Sequence, residues 1–242
     1  MVALVAGSAV LAVQAGAAPG GADGSAPARS PGAGTSSAAR PAGLAPQADF
    51  NKDGYEDFAV SAPKGAVGGK AKAGYAAVVY GSANGADTGH RQILDLDSPG
   101  VAGEAMAEDK FGSRTVARDF NGDGFTDLAV HADNYYEMDR RFVTILWGAK
   151  DGLTSGALLT DSKGAEGEDM AGGDFNGDGK ADLGVGAPGE DGPVDTGSGD
   201  MGAAWVLPGA AGGLTTKGAV SFAPSDLGAP GAGAALGLWT AE

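Results

Sequence analysis

One nine-residue pattern occurs three times in this chain of 242 residues, and it limits the possible folds more than anything else in the sequence. The copies are Asp49-Phe50-Asn51-Lys52-Asp53-Gly54-Tyr55-Glu56-Asp57, Asp119-Phe120-Asn121-Gly122-Asp123-Gly124-Phe125-Thr126-Asp127 and Asp174-Phe175-Asn176-Gly177-Asp178-Gly179-Lys180-Ala181-Asp182. Each carries oxygen side chains at positions 1, 3, 5 and 9 and glycine at position 6. Each is followed by a short apolar run: Phe58-Ala59-Val60, Leu128-Ala129-Val130 or Leu183-Gly184-Val185. Such runs are too short for helices and read as strands. The chain is therefore a repeat of polar loops, each leading into a strand.

The spacing of the oxygens has a chemical reading. Ca²⁺ is a hard cation that takes 6–8 oxygen ligands, and a peptide that curls round it points alternate residues inward. Positions 1, 3 and 5 then supply side-chain oxygens, position 7 a backbone carbonyl, and position 6 is glycine because the sharp turn needs positive φ. Asp57, Asp127 and Asp182 stand at position 9, where they replace the bidentate Glu that an EF-hand places at position 12. The expected ligands are Asp49, Asn51, Asp53, Tyr55 and Asp57; Asp119, Asn121, Asp123, Phe125 and Asp127; and Asp174, Asn176, Asp178, Lys180 and Asp182. Tyr55, Phe125 and Lys180 differ freely, as expected if only their carbonyls are used. One Asn/Asp/Gly-rich nonapeptide reads equally well as a polar turn. Three copies with one grammar favour the metal.

Charge and composition narrow the partners. The chain holds 31 acidic and 16 basic residues, a net charge of −15, and no cysteine. Disulfides, thiolate metal sites and cysteine nucleophiles are excluded. Three Ca²⁺ ions would bring the net charge to about −9. A chain this acidic is a poor partner for nucleic acid or anionic membranes.

Residues 1–17 are apolar and uncharged, and Ala15-Gly16-Ala17 fits a small-x-small cleavage site. They read as a secretory signal whose basic start lies upstream. The stretch is shorter than the ~20 residues of a membrane span, so the processed chain is not expected to be an integral membrane protein. Residues 18–48 are rich in Ala, Gly and Pro and read as a disordered linker with an end-to-end distance of roughly 30 Å.

The repeat extends beyond the loop. The first aspartates are spaced by 70 and 55 residues, near the ~50-residue period of propeller blades. Downstream come β-rich runs at 74–81, 141–148 and 202–209, apolar on both faces. Each ends in a turn, at Asn84-Gly85, Asp151-Gly152 or Gly212-Gly213, and these dipeptides suggest type I′ hairpins with positive φ at both central residues.

With these elements in place, the chain resembles the FG-GAP (VCBS-like) repeats of integrin-α-type β-propellers. Phe111-Gly112 stands eight residues before Asp119, as the family's FG does. Gly186-Ala187-Pro188 matches its GAP, and Ser61-Ala62-Pro63 nearly does. Departures are His131-Ala132-Asp133 in place of GAP, Glu166-Gly167 in place of FG, and Pro41-Ala42 where the first FG would stand, so the first opening strand looks absent. The resemblance implies an all-β fold, a partial β-propeller of about three blades where the family form has seven. The blades would span 49–110, 111–165 and 166–235. Leu236-Gly237 would open a fourth, cut short in 236–242, which makes the chain the N-terminal part of a longer array. Three blades make an open arc with two exposed edges and an uncovered inner face.

Other motifs carry less. Gly184–Gly189 matches G-x-G-x-x-G but contains Pro188 and is followed by Glu190-Asp191-Gly192-Pro193, with no helical period. Residues 65–70 lack the spacing of a P-loop. His90 reads as part of a polar turn and His131 as a strand end, and no G-x-S-x-G elbow occurs. Tyr135, Tyr136, Met138, Asp139, Arg140 and Arg141 form an unusual insertion, read as a variable loop ahead of a binding loop. No catalytic residue is identified. The expected function is that of a secreted Ca²⁺-binding propeller module for binding or adhesion, not an enzyme, with an extracellular protein or glycan as partner and no nucleic acid. The alternative is a non-catalytic part of a larger extracellular hydrolase.

Overall fold

A computed structural model describes residues 47–134, 142–159, 169–187, 202–230 and 236. The signal and nearly all of the linker, the insertion at 135–141, and Pro188 of the GAP element lie outside them, as does Gly237. Among the described residues eleven strands follow one another: β1 (Phe58–Ala62), β2 (Tyr75–Tyr80), β3 (Asp87–Leu94), β4 (Arg114–Arg118), β5 (Asp127–Ala132), β6 (Phe142–Trp147), β7 (Ser155–Leu159), β8 (Asp169–Gly173), β9 (Asp182–Ala187), β10 (Ala203–Leu207) and β11 (Val220–Phe222). A 3₁₀ turn at Pro224–Leu227 follows, and the described residues include no α-helix.

The strands form three antiparallel sheets, β1-β2-β3, β4-β5-β6-β7 and β8-β9-β10-β11, each a meander in which sequence neighbours pair. The fold is all-β, a partial propeller of three blades. The apolar runs after the nonapeptides become β1, β5 and β9. The runs further downstream become β2, β6 and β10. Their register repeats: Phe58 faces Val79, Leu128 faces Leu146, and Leu183 faces Leu207. No strand precedes β1 among the described residues, yet the Asp57 amide donates to the Ala48 carbonyl at 2.7 Å. That bond stands where Arg118 faces Asp127 and Gly173 faces Asp182 in the other blades.

Period-two alternation sorts the side chains onto the blade faces. One buried cluster joins blades 1 and 2, built from Phe50, Val78, Tyr80, Phe111, Leu128, Val130 and Leu146 among others. A second joins blades 2 and 3, with Phe120, Ala129, Val143, Ile145, Met170, Leu183, Val185 and Leu207. The middle sheet contributes both faces, and all six residues of β5 are buried. Each Leu, Val, Ile or Phe so placed stabilises by about 1.5–3 kcal/mol.

Two expectations are corrected. The hairpins are not type I′. The amides of Gly85, Gly152 and Gly213 donate to the carbonyls three residues earlier, Ser82, Ala149 and Ala210, at 3.0, 2.7 and 2.7 Å. Only the closing glycine of each turn is left-handed, with φ of 97°, 95° and 102°. Four-residue loops need one such residue where a two-residue loop needs two. His90 is not in a turn. It lies within β3, and its ring stacks on Tyr80 with centroids 4.4 Å apart, so an apolar contact outweighs its polar neighbours.

Candidate metal centre

Backbone amides hold each nonapeptide in the same curl. The carboxylate at position 1 accepts the amides of positions 5 and 6: Asp53 and Gly54 bond Asp49 at 3.1 and 3.0 Å. Asp123 and Gly124 bond Asp119 at 3.2 and 2.8 Å, and Asp178 and Gly179 bond Asp174 at 3.1 and 3.0 Å. The Asn oxygen at position 3 accepts the amide of position 5, at 3.1 Å in the first loop and 2.8 Å in the others. The aspartate at position 5 accepts the amide of position 7, from Tyr55, Phe125 and Lys180, at 2.8–3.0 Å. Asn, Asp and Gly serve here because short side-chain acceptors replace the ladder partners the curl forgoes.

Glycine at position 6 is left-handed in every copy, with φ of 87°, 86° and 89°. Position 4 is left-handed too: Lys52 at 57°, Gly122 at 77° and Gly177 at 78°. The sequence reading missed this requirement, although glycine in two copies of three was the signal for it.

The aspartate at position 9 faces away from solvent. Asp57, Asp127 and Asp182 are buried. One carboxylate oxygen of each accepts the amide of the phenylalanine at position 2: Phe50 at 2.8 Å, Phe120 at 3.0 Å and Phe175 at 2.9 Å. The other accepts the amide of the glycine that ends the second strand: Gly81 at 2.8 Å, Gly148 and Gly209 at 2.9 Å. These glycines are required. A Cβ on any of them would strike the backbone carbonyl of position 8, from Glu56, Thr126 or Ala181. Sequence reasoning passed over them, though the same glycine closes each β-rich run.

The loops concentrate negative charge. Burial, above all, raises the Asp127 carboxyl to about 7 against two lowering amide bonds, and the charges of Asp119 and Asp123 add to the rise. Asp57 is raised by burial in the same way, with Asp49 and Asp53 contributing. No loop aspartate has a lysine or arginine ion-pair partner among the described residues; the four ion pairs there lie elsewhere. Nor do three or more His, Cys, Asp or Glu side chains converge there tightly enough to form a metal cluster of their own. Position 3 is an amide, and position 9 is drawn onto two backbone amides. The donor set is nonetheless all hard oxygen with uncompensated charge, which suits a hard divalent cation.

Adjacent loops are tied together. The carbonyl at position 1 accepts the amide at position 8 of the next copy: Asp49 from Thr126 at 3.0 Å, and Asp119 from Ala181 at 3.1 Å. Position 4 of one loop packs against position 7 of the next. Lys52 Nζ donates to the Asp123 carbonyl at 3.0 Å and lies 5.1 Å from the centre of the Phe125 ring, and Gly122 lies against the Lys180 chain.

Fold and loops together define a class: β-propeller repeat proteins whose blades each carry an aspartate-rich nonapeptide ahead of an inner strand. The comparison with known families specifies it further. The FG-GAP-like repeat matches residues 119–185, and the FG-GAP repeat matches residues 46–79 and 167–207. The chain belongs to the FG-GAP repeat family. Its relatives include the phosphatidylinositol-glycan-specific phospholipase D of Bos taurus, 33% identical over 152 residues, which is 58% of this chain and 18% of that protein. The Mus musculus protein of the same name is 32% identical over 150 residues, 58% of this chain and 17% of that protein. The chain thus spans less than a fifth of the relatives it matches.

Proposed function

We propose that this chain is a calcium-stabilised FG-GAP module that binds rather than catalyses, with the ions bound at positions 1, 3, 5, 7 and 9 of the three loops. The observation that carries the reading is the threefold recurrence of one amide-braced curl whose aspartates have no cationic side-chain partner among the described residues. A cation there would offset the burial that chiefly raises Asp57 and Asp127 and the lesser repulsion from the neighbouring aspartates, and would lock loop to strand in each blade. Modules of this kind outside cells bind Ca²⁺ at about 10⁻⁴–10⁻³ M. This accords with the secretory character of residues 1–17, and an extracellular protein or glycan is the corresponding partner.

Melting the chain in EDTA and in excess Ca²⁺ tests the reading. The expected result is a lower midpoint in EDTA that Ca²⁺ restores, with Asp123→Ala losing one site of three by calorimetry. Identical melts in both buffers would sink the claim.

A second reading has its own support. The named relatives are phospholipases, and the match covers only a small part of each. On this reading the chain is the non-catalytic repeat part of a larger extracellular hydrolase. Assays of the chain alone on phosphodiester and glycan substrates should then show no turnover, while pull-down with a catalytic domain of the same organism should succeed.

A further inference from the structure

Basic residues are shared unevenly among the nonapeptides. The first holds Lys52 at position 4 and the third Lys180 at position 7, while residues 119–127 hold none. The fold brings both lysines to that middle loop. Lys52 Nζ donates to the Asp123 carbonyl at 3.0 Å and sits 5.1 Å from the centre of the Phe125 ring. It also lies so close over Gly124 that a Cβ there would strike it. On the other side the Lys180 stem runs along Gly122, with Cγ, Cδ and Cε at 3.1, 3.3 and 3.4 Å from the place a Cβ would take.

Lys52 reaches this position from a left-handed backbone, at φ 57°, where the other two copies have glycine. That conformation disfavours any residue with a Cβ. Its ammonium meets positions 5, 6 and 7 of the middle loop: a candidate ligand aspartate, the turning glycine, and the residue whose carbonyl is a candidate ligand. Its bond goes to the position 5 carbonyl, which is not a candidate ligand. The charge is thus set beside the site without occupying the site's own oxygens.

A fixed cation there has opposite effects on the two states of the loop. It attracts Asp119 and Asp123 when no metal is bound, and it repels a divalent cation that binds them. Lys52 and Asp123 are exposed, so both effects are screened by salt. We propose that Lys52 is a built-in counter-ion of the middle loop, by which blade 1 stabilises the metal-free form of blade 2 and lowers the Ca²⁺ affinity of its site. The inference rests on the calcium reading of the loops and adds that their three sites are unequal.

Charge removal at this one position tests it. Lys52→Met keeps a stem and the left-handed backbone of a non-glycine residue, and Lys52→Arg keeps the charge. By calorimetric titration at low salt, Lys52→Met should bind Ca²⁺ on the order of fivefold more tightly at one site, and Lys52→Arg should match the parent. In EDTA, Lys52→Met should melt below the parent, with a gap that narrows as salt is added and closes or reverses in Ca²⁺. Asp123→Ala, which removes the middle site, should abolish the tightening. Asp53→Ala, which removes the site of the loop that carries Lys52, should leave it intact. Lys52→Gly, the residue of the other copies, serves if Lys52→Met loses its strand signal in circular dichroism. Tightening that survives Asp123→Ala places the effect in another loop and overturns the proposal, as do affinities that the substitution leaves unchanged. A parent chain that binds no Ca²⁺ overturns the calcium reading itself, and the proposal with it.

Discussion

At the scale of single residues, the aspartate at position 9 does more than its place in the pattern suggests. As a candidate ligand it resembles positions 1 and 5, yet it is buried and bridges two amides far apart in sequence, such as Phe50 and Gly81. The cost of its charge is set by that burial and by its neighbours. Asp127 titrates near 7 in place of 3.8, so the folded state holds this proton more tightly than the unfolded chain does. Its contribution to stability is therefore complete below the ordinary carboxylate pKa and is lost as pH rises through about 7. Thermal melts in EDTA should show a midpoint that falls across this range. Excess Ca²⁺ should abolish or reverse the slope, since the ion takes the place of the proton. The glycine partner is equally demanding. Gly81→Ala drives a methyl group into the Glu56 carbonyl, and the expected loss is about 3 kcal/mol, the upper end of overpacking costs, readable by urea denaturation.

At the scale of elements, the sequence was most legible where one local pattern had one outcome. The nonapeptides and the apolar runs behind them became loops and strands because glycine, short oxygen side chains and β-branched runs act through their immediate neighbours. What needed distant partners was hidden. The turn at Asn84-Gly85 looked like type I′, but its length was set by where β2 and β3 come into register, across a shift between Val79 and Tyr80. His90 looked polar in sequence and was claimed by the Tyr80 ring. The left-handed residue at position 4 was masked by lysine in the first copy, where Lys52 reaches across to Asp123 and Phe125. The sheets should also differ in persistence. β5 and β6 are covered on both faces, whereas β3 and β11 are edge strands with exposed residues. Native-state hydrogen exchange should find the slowest amides in β5 and β6 and the fastest strand amides in β3 and β11.

At the scale of the whole molecule, the repeat seen in sequence and the unit joined by hydrogen bonds are out of phase. Phe111 opens the second repeat, yet its amide donates to the Ala73 carbonyl of the first blade at 2.9 Å, and its backbone crowds Gly74. Gly112 donates back to His131 of the second blade at 3.0 Å. Leu236 bridges to Gly202, the counterpart of Gly74, in a parallel sense. Blade 1 thus borrows the opening residues of blade 2 as a clasp, and Leu236 takes the corresponding place on blade 3. A gene that gains or loses one repeat at its sequence boundary would separate the clasp from the strand it fastens. Duplications that keep such an array foldable must instead be spliced within a blade, at a point that carries each clasp along with its strand.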